Sequence, residues 1–141
     1  MENGINLEVI WFDEVEDFLE VVFSCSNGYS GRAEIYVTRD GLAKFANTLR
    51  GFPLCPNECR DFELGTFNAD HARMHFFCED AAGHAVVEVK LHGDACKVVG
   101  EMESVALRIP IQAAGVDDFT KQLWGVGKTI GASAFLRQAT S

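Results

Sequence analysis

The tightest constraint on this 141-residue chain is a motif that it carries twice. Residues 33–49, AEIYVTRDGLAKFANTL, align without gaps with residues 107–123, LRIPIQAAGVDDFTKQL, 74 positions later. Ile35, Val37, Gly41, Leu42, Phe45 and Leu49 meet Ile109, Ile111, Gly115, Val116, Phe119 and Leu123. Each copy changes period part-way. Tyr29, Gly31, Ala33, Ile35 and Val37 alternate with Ser30, Arg32, Glu34, Tyr36 and Thr38, which is the two-residue repeat of a strand with one buried face. Leu42, Phe45, Ala46 and Leu49 then recur at helical spacing. Thr38 or Asp40 is expected to cap that helix, Gly51 to end it in a left-handed conformation, and Pro53 to stop its resumption. In the second copy Val105, Leu107, Ile109 and Ile111 alternate with Ala106, Arg108, Pro110 and Gln112, and Val116, Phe119 and Leu123 form the helical stripe. Two strand–helix corners sharing one core are the predicted scaffold.

The other strands are read from the same alternation. The first runs from Ile5 to Phe12, with Ile5, Leu7, Val9 and Trp11 on one face. The second runs from Phe18 to Ser26, and Asn27-Gly28 predicts a tight hairpin to the third. Beyond a GFPLCPN loop, Asp61 to Phe67, Arg73 to Glu79 and His84 to Gly93 supply the fourth to sixth, and Pro110 makes the seventh an edge strand or a bulged one. The expected fold is α+β and two-layered: about seven mostly antiparallel strands in the order βββα-ββββα, with both helices on one face. Residues 1–124 are expected to form a single domain, and 125–141, which lose periodicity, read as a tail that is either extraneous to the domain or docked through Phe135 and Leu136.

Composition narrows the classes of function. Twenty-one acids against twelve Lys and Arg give a net charge of −9. That disfavours nucleic-acid backbones and anionic membranes, and suits a basic protein partner. The first twenty residues hold seven acids and no Lys or Arg, and the DEVED turn at 13–17 is read as a solvated hairpin. No apolar run approaches the ~20 residues of a membrane span, and the amino terminus has no signal-peptide pattern. Five Cys, an odd number with Cys25 and Cys78 among strand positions, suit a reducing cytoplasm better than a disulfide framework.

The blocks GRAEIYVTRDGLAKFANTLRGFP, RDFELGTF, GHAVVEVKL and ESVALRIPI resemble a group of small bacterial proteins of unknown function, over roughly Phe18 to Leu123. The resemblance implies a bacterial, cytoplasmic protein. It brings no activity, ligand or functional residue.

No residue pattern specifies chemistry. Cys55, Cys59, His71 and His75 mimic a two-Cys, two-His zinc spacing, but His75 falls in an alternating strand where a finger needs a helix, so no metal is expected. GVGKT at 125–129 has Gln122 where a phosphate loop needs its first glycine, and follows a helix rather than a strand. Cys55 or Cys59 could pair with His71, His75, His84 or His92 as a nucleophile, but nothing in the sequence lowers either thiol's pKa. No G-x-S-x-G elbow is present, and no cofactor is expected. Glu101/Glu103 and Asp117/Asp118 read as solvated pairs, the latter placed to favour a helix N-terminus.

The sheet face turned away from the helices is more informative. It is expected to carry Glu8, Glu20, Arg32, Glu34, Glu88, Lys90 and Arg108 together with apolar side chains, of which Phe12, Phe18, Val22, Tyr36 and Phe77 are the candidate partner-binding residues. The sequence therefore points to a non-catalytic binding module that self-associates as a homodimer or binds a basic protein. The alternative is a small-ligand binder or enzyme with a pocket between sheet and helices.

Overall fold

The computed structural model describes residues 3–26, 28–38, 40–65, 70–93, 103–126 and 129–139. The chain runs β1 (Gly4–Phe12), β2 (Glu16–Ser24), β3 (Ser30–Thr38), α1 (Gly41–Leu49), β4 (Cys59–Gly65), β5 (His71–Cys78), β6 (Ala85–Gly93), β7 (Glu103–Ile111), α2 (Ala113–Val126) and β8 (Ser133–Arg137). The class is α+β with antiparallel strands, as the periodicities predict. Among the described residues the strands number eight and divide into two sheets, A in the order β3-β2-β1-β8 and B in the order β4-β5-β6-β7. Alternation reveals which neighbours form hairpins, but not whether two successive meanders join edge to edge. Here α1 and the loop after it separate them.

The two sheets are the same unit, circularly permuted. In A the register stacks Ile35 on Leu19 and Leu19 on Val9; in B it stacks Ile109 on Val87 and Val87 on Phe76. So β8-β1-β2-β3-α1 corresponds to β4-β5-β6-β7-α2, and the first unit takes its opening strand from the far end of the chain. That strand lies in the segment expected to be a tail. Ala134 and Leu136 are fully buried there, and Leu136 pairs with Ile5 across the ladder. Five residues are too few for periodicity to announce.

One core joins all of these elements. Phe45 on α1 stacks on Phe62 of β4 at 4.6 Å, meets Phe119 of α2 edge-on at 5.7 Å, and tilts toward Phe76 of β5 at 6.2 Å. The matched phenylalanines of the two corners are therefore the contact between the helices. Asp40 sits at the N-cap of α1 but makes no capping bond; instead its Oδ1 accepts the Thr38 hydroxyl, and its Oδ2 pairs with Lys44 at 3.2 Å. The helix ends as expected, with Gly51 at φ +74° and the Phe52 amide bonded to the Leu49 carbonyl. Arg60 of β4 completes that end. Its Nη1 donates to the Thr48 and Arg50 carbonyls, Nη2 donates to Glu58, and the guanidinium lies 5.6 Å from the Phe52 ring centre. Two carbonyls left free by the end of the helix are thus satisfied by a cation, as the helix dipole favours.

β7 is an edge strand, so Pro110 costs the ladder no donor. On α2, Asp117 and Asp118 lie beyond the first turn, which holds no acid. Asp118 accepts the Gln122 side-chain amide at 2.7 Å instead of serving the helix N-terminus. Gly28 has a positive φ in the β2–β3 turn, where the Cys25 amide bonds the Tyr29 carbonyl. Asn27, Glu101, and the Gly127 and Lys128 of GVGKT lie outside the described residues.

Candidate functional site: two outer faces

Because the strands form two sheets, the mixed face expected from the sequence is two separate faces. Phe18, Val22 and Tyr36 lie outward on sheet A and Phe77 outward on sheet B, so the five candidate residues do not make one surface. Phe12 packs against the core. The cause is a β-bulge between Val9 and Trp11. One extra residue reverses the side-chain parity beyond it. Trp11, expected inward, instead pairs with Phe18 on the outer face and is 46% exposed. Counting back from the turn would have found it, since Phe77-Cys78-Glu79 then aligns with Trp11-Phe12-Asp13.

Cross-strand rows span the outer face of sheet A, among them Asn6, Val22 and Arg32. The register sets Trp11 against Phe18 and Phe18 against Tyr36. The Phe18 and Tyr36 rings stack at 4.3 Å with an interplanar angle of 16°, and half of Tyr36 is exposed. One row away, Glu8 stands opposite Glu20, and Glu20 opposite Glu34. On the other side lies Glu16, opposite Thr38. Directly opposed residues have Cβ atoms roughly 5 Å apart, a destabilising arrangement for like charges. Arg32 relieves part of it by pairing with Glu20. Among the described residues no ion pair holds Glu8 or Glu34.

Sheet B carries the same rows with different residues. Trp11, Phe18 and Tyr36 become Phe77, Val86 and Pro110, and Glu8, Glu20 and Glu34 become His75, Glu88 and Arg108. Here the charges are matched within the chain. His75 Nδ1 lies 2.6 Å from Asp61, Arg73 pairs with Glu63 at 2.7 Å, and Arg108 pairs with both Glu79 and Glu88 at 3.3 Å. The Arg108 guanidinium also lies 5.3 Å from the Phe77 ring centre, and the His75 ring stacks on Phe77 at 5.1 Å. Val86 is 2% exposed. In the apolar row of B, Val86 is buried, Phe77 is half-buried beneath Arg108 and His75, and only Pro110 is exposed; in that of A, Phe18 is half-buried and both Trp11 and Tyr36 are exposed.

The zinc-like set is not assembled. His71 and His75 are four residues apart along β5, roughly 13 Å at strand rise, too far for one tetrahedral ion. His75 is engaged by Asp61, and the Cys55 thiol lies 3.0 Å from the Asn57 side-chain oxygen. His71 is instead buried and stacked on His92 at 4.6 Å. Burial, then the His71, Arg73 and Lys90 charges, lowers the His92 pKa. No group of three or more His, Cys, Asp or Glu side chains among the described residues is arranged to hold a metal. Burial raises the Cys25 thiol pKa, the reverse of what a nucleophile requires.

One cleft lies on the outer face of sheet B, between Asp61, Glu63, Arg73 and Glu88. Another lies between the start of α2 and β8, lined by Gln112, Gly115, Asp118 and Arg137. The interior between helices and sheets is filled by Phe45, Phe76 and Phe119, all fully buried. No described helix is long and apolar enough to cross a membrane. No family model matches this chain, nor does any curated protein or solved structure.

Proposed function

We propose that this protein is a non-catalytic binding module that engages another macromolecule through the outer face of sheet A. One observation carries the reading: the aromatic ring that sheet B covers with its own Arg108 and His75, Phe77, has exposed aromatic counterparts in the same row of sheet A, with Trp11 46% and Tyr36 50% exposed. Exposed aromatic side chains on a rigid, flat scaffold are the usual anchors of protein interfaces. A pocket enzyme is the weaker reading, because aromatic rings fill the space between helices and sheets. A cytoplasmic setting is part of the proposal, and the free thiols of Cys25, Cys55, Cys59 and Cys78 support it.

Site-specific photo-cross-linking in cells tests the reading. A benzoyl-phenylalanine replacing Tyr36 is expected to give a discrete adduct of higher mass. The same group replacing Ala106, on the outer face of sheet B, is expected to give none. Equal labelling from both positions, or none from position 36, contradicts it.

A further inference from the structure

The duplication allows the two outer faces to be compared position by position. In sheet B an arginine occupies the outer face: Arg108 lies over Phe77, with its Nε toward Glu88 and Nη2 toward Glu79. The cradle that receives it recurs in sheet A. Trp11 stands for Phe77, Glu20, already paired with Arg32, for Glu88, and Asp13, whose Oδ1 accepts the Val15 and Glu16 amides, for Glu79; the stacked Phe18 and Tyr36 rings enlarge the aromatic floor. The position of Arg108 itself is taken by Glu34. Sheet A thus keeps an aromatic floor and carboxylates, with Arg32 beside Glu20, and has an anion, Glu34, at the position of the cation Arg108.

We propose that the outer face of sheet A is a docking surface for an arginine-bearing segment of a basic protein, whose guanidinium takes the place in sheet A that Arg108 holds in sheet B. A planar guanidinium can lie on an aromatic ring while donating in-plane bonds to carboxylates, which an ammonium cannot do as fully. Charge complementarity selects this occupant. The outer face of sheet B sets Asp61, Glu63 and Glu88 against Arg73, Lys90 and Arg108, whereas that of sheet A sets Glu8, Glu16, Glu20 and Glu34 against Arg32 and Arg137. A second copy of this chain docking face to face across a two-fold axis would bring one glutamate row toward another, at an electrostatic cost. Nucleic acid and anionic lipid are repelled by the same row.

This proposal rests on the binding reading above and can fail without it. If position 36 cross-links nothing, the reading itself falls; if it cross-links but arginine is not preferred, only the assignment of the guanidinium falls. The direct experiment titrates the isotope-labelled full chain with the blocked peptide Arg-Gly-Arg-Gly-Arg and follows backbone amide shifts. Shifts are expected to concentrate on residues 11, 18, 20, 34 and 36, with a dissociation constant of about 0.1–1 mM. Lysine in place of arginine should weaken binding several-fold. Glu34→Arg, which restores the cation found in sheet B, should weaken it by about tenfold or more, while Asp117→Arg, with the same change in net charge on α2, should leave it within about twofold. Equal effects of the two substitutions, equal binding of the lysine peptide, shifts spread over the acidic surface, or no saturable binding would each overturn the proposal.

Discussion

Deleting residues 127–141 is expected to abolish cooperative folding, although these residues carry no repeat motif and resemble a dispensable tail. β8 completes sheet A: Leu136 and Ala134 are fully buried, and without them Ile5 and Leu7 lose the strand beside them. Re-exposing Leu136 alone costs about 2–3 kcal/mol, and each lost ladder hydrogen bond adds about 1 kcal/mol. Five paired positions bring the total to several kcal/mol, comparable to the 5–15 kcal/mol by which a domain this size is typically stable. Circular dichroism against urea should show no sigmoidal transition for the truncated chain. Moving residues 129–141 in front of Met1 should restore one, because the Gln138 amide already bonds the Asn3 carbonyl at 2.9 Å. A truncated chain that unfolds cooperatively near the full-length midpoint would remove β8 from the core.

Phe45→Ala is expected to be the most damaging single substitution in either helix, at about 3–5 kcal/mol. The ring is fully buried and touches aromatic side chains from α2 and from two strands of sheet B. The cavity would open where α1, α2, β4 and β5 meet. Phe62→Ala should cost less, since Phe62 is only partly buried. Urea midpoints of the two variants measure the difference. Equal losses would place the centre of packing elsewhere.

The corners were legible because both codes for them are local. A two-residue period turning into a 3.6-residue period, ended by Gly51 and Pro53, leaves few alternatives, and the matched Phe45 and Phe119 marked the repeat, though not that the two rings would meet. The rest of the duplication was hidden for physical reasons. Its outer rows differ in charge, Glu34 against Arg108 and Glu8 against His75, because outward positions are free to specialise once the inner face is packed. Its first strand lies at the other end of the chain, where sequence order misleads. The open site was half legible. Phe18, Val22 and Tyr36 follow strict alternation, but the bulge beside Ile10 moved Trp11 out and Phe12 in. A bulge is decided by pairing with the next strand, so the strand's own residues do not reveal it. Arg60 was likewise silent, because only the return of β4 past the end of α1 gives it carbonyls to serve.

On the proposed reading, sheets A and B present equivalent cradles, with Arg108 seated in B and a partner's guanidinium in A. Exchanging the charge at the two equivalent positions tests it most directly, by equilibrium urea unfolding at low salt. Arg108→Glu removes two ion pairs and sets a glutamate against Glu88, so stability should fall. Glu34→Arg sets a cation against Glu20, so stability should rise. Each change should be about 0.5–1 kcal/mol, small because both positions are solvent-exposed, and both should shrink as salt screens them. Opposite signs are the predicted result; a loss of stability on Glu34→Arg comparable to that on Arg108→Glu would contradict it.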